Sequence, residues 1–242
     1  MSKTRLRPGF LVTIDGPAGA GKSTVSRMLA EAIHGTLLDT GSMYRGVAYF
    51  AMQSGGDTEK DFTKIARELR FDLELKKKKL KINGKLLGLK LRGERVTQMA
   101  SSVSRFPSVR KVLTERQREL GRVLSKKLPV VMEGRDIGSV VFPEAKFKFY
   151  VTADAMVRAR RRYHELKAKG VADIKLRRVL SEQKKRDLQD STREQAPLTF
   201  PDNAVFVDTS KMDVKQVVAF MKTHIEQKLA WEKWRNQTRQ RS

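Results

Sequence analysis

The chain has no cysteine, which removes a disulfide framework and any cysteine-ligated zinc. It also lacks an apolar run near the roughly 20 residues that cross a bilayer. Its opening, MSKTRLRPGF, holds no apolar stretch of signal length. A cytoplasmic protein without membrane attachment is expected, and nothing in the sequence demands more than a monomer. Acids are scarce: 27 Asp+Glu stand against 51 Lys+Arg, a formal net charge of +24. Such a field favours polyanions, whether nucleotides, nucleic acid or an anionic surface. Aromatics make up only 7%. The most basic stretch, Arg158 to Arg193, has 13 basic and 5 acidic residues but only Tyr163 among them to stack on a base. Single-strand binders interleave rings with cations, so no specific nucleic-acid partner is expected.

What is present follows a βα rhythm. FLVTID is a short apolar strand that enters a glycine-rich loop, and KSTVSRMLAEAI follows with Val25, Met28, Leu29 and Ile33 at helical spacing. TLLD, LPVVMEG, KFKFYVT and AVFVDT read as further strands. Helices are expected over about 43–53, 96–106, 107–124 and from about 213 onward. Five core strands with intervening helices predict an α/β fold, a doubly wound parallel sheet. Between them, LRFDLEL and KLKINGKLL alternate, and Asn83-Gly84 suits a type I′ hairpin turn. This predicts an inserted segment over 71–110, with residues 1–70 and 111–242 forming the core. The tail AWEKWRNQTRQRS reads as a helical extension fraying into a solvated end.

Gly16-Pro17-Ala18-Gly19-Ala20-Gly21-Lys22-Ser23 fits the P-loop pattern completely, with Thr24 following. Such glycines turn backbone N–H groups inward around phosphate oxygens, and the next helix presents its positive end to the same anion. Lys22 is suited to the β- and γ-phosphates, and the Ser23 hydroxyl to Mg²⁺. Neither Asp-x-x-Gly nor Asn-Lys-x-Asp occurs, so a GTPase switch is disfavoured. Glu133 is a poor candidate for the acid of a motor or transporter ATPase, because Gly134-Arg135-Asp136 follows at once.

Arginines stand instead wherever a second phosphate would sit. DTGSMYR places Thr40, Tyr44 and Arg45 just beyond one strand, and EGRDIGSVVFP places Arg135 and Asp136 beyond another. KKRDLQDSTR sets Arg186, Asp190 and Arg193 at i, i+4 and i+7, one helix face. Ligands of open α/β sheets bind at the carboxyl ends of the strands. This pattern favours phosphoryl transfer between two phosphorylated molecules. A P-loop kinase for another small acceptor, or a basic RNA-associated protein, remain the alternatives.

The ordered set DGPAGAGKST, DTGSMYR, ASSVSRFPSVR, GRDIGSVVFP, RARRRYHEL, RDxxDSTR with APL, and VFVDTS runs from about residue 11 to 210. In this set the chain resembles bacterial cytidylate kinases, P-loop enzymes that phosphorylate CMP and dCMP from ATP. The resemblance implies that Arg45, Arg135 and Arg193 bind the CMP phosphate. It further implies that Ser101, Arg110 and Asp136 read the base and that Arg186 and Asp190 hold the sugar. By the same likeness the segment over 71–110 is the nucleotide-binding insert. The basic pair over about 158–193 is the lid, with Arg158 and Arg162 on phosphate. Lys22, Arg135, Arg162 and Arg193 are then the expected catalytic residues, and ATP and Mg²⁺ the cofactors. The chain departs from the family at Gln189, where another arginine is common; Lys184 and Lys185 stand nearby.

Overall fold

Strands covered on both faces are mostly apolar, and those of the central sheet are rich in Val, Leu, Ile and Phe, with a few buried polar residues such as Thr13, Thr36 and Lys148. A computed structural model describes residues 9–75, 77–168 and 170–239. In it β1 (Leu11–Asp15), β2 (Thr36–Asp39), β5 (Val130–Glu133), β6 (Phe147–Thr152) and β7 (Val205–Asp208) form one sheet in the order β2-β5-β1-β6-β7. Every pairing in it is parallel, with Val12 opposite Val131 on one side and Phe147 on the other. This is the doubly wound sheet expected from the sequence. A two-stranded antiparallel sheet, β3 (Phe71–Glu74) with β4 (Lys79–Ile82), stands apart from it.

Eight α-helices surround the strands among the described residues: α1 (Lys22–Ala32), α2 (Gly41–Ser54), α3 (Glu59–Glu68), α4 (Glu94–Val103), α5 (Pro107–Ser125), α6 (Ala155–Ala168), α7 (Leu176–Thr192) and α8 (Val214–Arg239). A short 3₁₀ turn spans Gly88–Arg92 and a π-helical turn spans Ile137–Val141. One apolar cluster lies between β1, β6, β7 and helices α1 and α8, around Ile14, Leu29, Phe149 and Met221. A second joins α2, α3, β4, α4 and α5 around Val47, Ile82, Val103 and Leu113. The third, around Leu38, Met132 and Phe142, lies where β2 and β5 meet the π turn.

Two elements differ from the sequence expectation. Helix α3 was not anticipated; its start is a capping box in which Thr58 and Asp61 exchange hydrogen bonds. Asn83-Gly84 does form a turn with both φ positive (49° and 74°), but it closes only an Ile82–Lys85 bridge. Strands β3 and β4 pair instead in a register that joins Glu74 to Lys79 and sets Leu73 opposite Leu80. Helix α8 continues to Arg239, the helical extension expected of the tail; residues 240–242, where its end would fall, lie outside the described residues.

Candidate active site

The glycine loop leaves β1 directly into α1. Gly16, Gly19 and Gly21 take φ of 142°, 76° and 85°, values that side-chain-bearing residues rarely adopt. At Gly16 even a methyl group is excluded, since a Cβ would lie 1.9 Å from the Val151 carbonyl oxygen. Helix α1 has no side-chain cap at its N-terminus, so its first amides face the loop. Lys22 is buried and folds back, its ammonium donating to the carbonyls of Gly16 and Pro17 at 2.6 Å each. Burial pushes that ammonium well below its ordinary pKa, and the Arg135 charge adds to the effect.

Three acids stand around the loop. Asp15, fully buried, accepts the amides of Ile137 (2.8 Å) and Gly138 (2.6 Å) from the π turn. Desolvation holds its pKa at about 6 despite those donors. Glu133, last residue of β5, is pushed to about 7 by burial and then by the nearby Asp39 charge; Lys22 and the neighbouring Ser23 hydroxyl offset part of that rise. Asp39 itself binds Arg45 (2.5 Å), the Ser42 hydroxyl (2.6 Å) and the Ser42 amide (3.1 Å). The Thr40 hydroxyl donates to the Glu133 carbonyl at 2.7 Å, tying β2 to β5.

Beyond this layer the arginines converge. Arg110, from the first turn of α5, meets Asp136 at 2.5 Å, with both side chains under one-tenth exposed. The same guanidinium lies 5.6 Å over the Tyr44 ring and donates to the Ser104 carbonyl. Ser101 sits half-buried on α4, one turn before Ser104. Arg135 donates to Asp190 at 2.9 Å, and Arg193 lies 3.6 Å from Asp136 and 3.8 Å from Asp190. Arg193 reaches this cluster from outside the helix: α7 ends at Thr192, and Arg193 is already extended, its Nε donating to the Ala196 carbonyl. The expected single helix face is therefore completed by the segment after it. Arg186 is held down to about 10 by burial and by Arg135, and Arg193 is lowered by burial and by Arg110. Arg45 Nε, Arg186 Nε and Arg193 Nη2 are buried donors without a hydrogen-bond acceptor among the described residues. A buried donor left unpaired costs about 1–3 kcal/mol, so three in one cluster mark the seat of an anion.

Helices α6 and α7 close over the loop from the other side. Arg158 donates to the carbonyls of Ala153 and Ala18 (2.9 Å each) and to Asp187 (2.5 Å). Asp187 in turn accepts the Ala18 amide at 3.1 Å, and a Cβ on Gly19 would press on the Gln183 amide nitrogen at 2.5 Å. Arg162 is not brought to the loop: it pairs with Glu165 at 2.8 Å. Its neighbour Arg161 bonds Thr209 through both the hydroxyl and the carbonyl, beside Gly21.

Sequence reasoning missed Glu133, Asp15, Asp187 and Arg161 as parts of this site. The first two had a signal, an acid at the end of a buried strand; the other two had none.

A family model described as cytidylate kinase matches residues 12–227. The chain belongs to the cytidylate kinase family. Among curated members, the cytidylate kinase of Caldanaerobacter subterraneus subsp. tengcongensis is 41% identical over 207 residues, covering 86% of this chain and 90% of that protein. The cytidylate kinase of Carboxydothermus hydrogenoformans is 42% identical over 213 residues, covering 86% and 93%. Among solved structures, a gluconokinase from Sinorhizobium meliloti 1021 aligns at 14% identity with a TM-score of 0.48, covering 94% of this chain and 99% of that one. In this member of the cytidylate kinase family, the P-loop, the Asp136 turn and the α6–α7 pair all fall inside the matched span. The helical turns after residue 227 fall outside it.

Proposed function

We propose that the protein transfers the γ-phosphoryl group of ATP to CMP or dCMP, giving ADP and CDP or dCDP. The observation that carries this reading is the set of buried guanidinium donors on Arg45, Arg186 and Arg193 that lack a hydrogen-bond acceptor, beside Arg135 and Asp190 and next to the Arg110–Asp136 pair through Arg193. That is a second anion seat one strand away from the P-loop. In this reading ATP lies on Gly16 to Thr24 with Arg158 against it. Arg45, Arg135 and Arg193 hold the acceptor's phosphate, and Arg186 and Asp190 its sugar. Thr40 and Tyr44 line the acceptor side.

Base choice follows from hydrogen-bond polarity. Cytosine offers an exocyclic amine to the Asp136 carboxylate, and its N3 and O2 accept from Arg110 and Ser101. Uracil would set a carbonyl against the same carboxylate, a mismatch that a buried polar site rejects strongly. The segment over 71–110 carries the acceptor side, through α4 and the start of α5.

The transferring phosphoryl group needs positioning and charge neutralisation rather than covalent help. Lys22 and the arginines supply the positive charge, and closure of α6–α7 over the loop excludes water. Ser23 and Glu133 suit Mg²⁺: both are hard oxygen donors, and Glu133 Oε2 is buried without a hydrogen-bond donor among the described residues. Bound there, Mg²⁺ would neutralise β- and γ-phosphate charge. Arg162, paired with Glu165, would have to turn inward to reach phosphate, whereas Arg161 is already beside Gly21. A monomer in the cytoplasm suffices for this chemistry.

A coupled assay of ADP release across CMP, dCMP, UMP, AMP and dTMP tests the reading. CMP and dCMP should far exceed the others. Equal rates with all five would reject the base-reading assignment.

A further inference from the structure

The active site lies at the carboxyl ends of the strands. The opposite end, where β6 begins at Phe147, carries a different chemistry. There the last turns of α8 pack beside Lys146 and Phe147. Lys228 donates to the Lys146 carbonyl at 2.9 Å, and Lys146 pairs with Glu232. Both ammonium groups lie over the Phe147 ring, at 5.3 and 5.7 Å from its centroid. Arg235 lies 4.7 Å over the Trp231 ring. After partial burial, the charges of Lys228 and Arg235 pull Lys146 below the ordinary lysine range, as expected of crowded cations.

Within this basic cluster stand two indoles. Trp231 and Trp234 are three residues apart on the helix, hence neighbours on its surface, and remain 53% and 61% exposed. They are the chain's only tryptophans. Their turn of helix follows the span matched by the family model, so the transfer reaction gives no account of them.

We propose that this end of α8 binds single-stranded nucleic acid, with phosphodiester groups on Lys146, Lys228 and Arg235 and unstacked bases on the exposed faces of Trp231 and Trp234. Accessible ring faces beside cations are what a sequence-tolerant single-strand platform requires. The net charge of +24 supplies long-range attraction to a polyanion. An anionic membrane is the poorer fit. Membrane-surface helices carry a continuous apolar face, whereas the helical neighbours of the two indoles are Gln227, Lys228, Ala230, Arg235, Gln237 and Thr238, of which Ala230 alone is apolar. Binding here is independent of the phosphoryl-transfer reading, because the two sites occupy opposite ends of the sheet.

Since both tryptophans belong to the patch, intrinsic emission of the full-length protein reports on it alone. The test titrates the protein with dT and rU oligomers of about 16 nucleotides, following tryptophan quenching and the anisotropy of end-labelled oligomer. Saturable quenching that weakens with added salt is expected, and the dT and rU arms tell whether the 2′-hydroxyl contributes. The W231A/W234A variant should bind at least about tenfold more weakly, while its turnover with CMP and its helical circular dichroism stay unchanged. W231F/W234F keeps a stacking face and should recover most of the binding. Arg235→Ala should lower the salt slope by about one counterion. Unaltered affinity in W231A/W234A would reduce the effect to bulk charge and overturn the proposal. So would the absence of oligomer binding at low salt, or quenching by phosphatidylglycerol vesicles alone.

Discussion

Arg110 and Asp136 are joined at 2.5 Å in a setting where neither side chain is more than one-tenth exposed. They come from the first turn of α5 and from the π turn after β5, so the pair links the acceptor-side helices to the central sheet. Removing one partner strands the other charge. Asp136→Ala should destabilise the fold by about 3–5 kcal/mol and erase discrimination between CMP and UMP. Asp136→Asn keeps the volume and should retain more stability while still losing base choice. Thermal melts combined with kcat/KM for CMP and UMP test this, and preserved discrimination in either variant would count against Asp136 as the base reader.

Asp15 acts at one remove. It touches no expected ligand position, yet its carboxylate holds the amides of Ile137 and Gly138, the residues just after Asp136. In Asp15→Asn one acceptor becomes a donor facing a backbone N–H. A loss near 1.4 kcal/mol in placing the turn corresponds to about a tenfold rise in KM for CMP. The KM for ATP should move much less. Equal changes in both constants would point to a general loss of structure instead.

Lys22→Ala separates catalysis from stability. Burial and neighbouring cations depress the Lys22 pKa, so keeping it charged near neutral pH burdens the folded state. Turnover should fall by roughly 10²–10³ or more, as for loss of one strong charge-stabilising donor. Melting temperature at pH 7 should hold or rise. Near-normal turnover would remove Lys22 from the mechanism.

Glu133 gives a pH signature. It ionises at about 7 in the folded chain against 4.5 for an unperturbed glutamate. Between those values the folded state holds a proton that the unfolded chain has released. Stability therefore falls as pH rises through this window and stays lower above it. Glu133→Gln removes that penalty. The variant should be indistinguishable from the parent below about pH 4. Above about pH 7 it should be more stable by on the order of 1–3 kcal/mol. Its Mg²⁺ requirement should rise by about 10–100-fold. Urea titrations at several pH values read the first effect, and Mg²⁺ titrations of activity read the second.

Much of this was legible before any coordinates. Strand β1, its glycine loop and α1 are contiguous in sequence, and each announces itself by composition and period. The same holds for β5 with Arg135 and Asp136, and for the arginines of α7. What stayed hidden depends on approach between distant segments. Asp187 meets Ala18, and Asp15 meets Ile137, only after the sheet has ordered the chain. Glu133 is a poor motor-type acid by sequence because Gly134-Arg135-Asp136 follows at once; its significance comes from Lys22 and Asp39 beside it. Asn83-Gly84 misled because a competent turn dipeptide needs partners, and the apolar match of Leu73 with Leu80 drew the strands together one turn earlier.

The apolar cluster of α2 to α5 shares no buried residue with the one beneath the glycine loop. Side chains can be exchanged on the acceptor side without repacking what supports the donor. For evolution this means that a new acceptor can be explored by drift in one set of helices while ATP handling is conserved. For engineering, libraries over α4 and the start of α5 are the ones expected to change which molecule is phosphorylated and still yield folded protein.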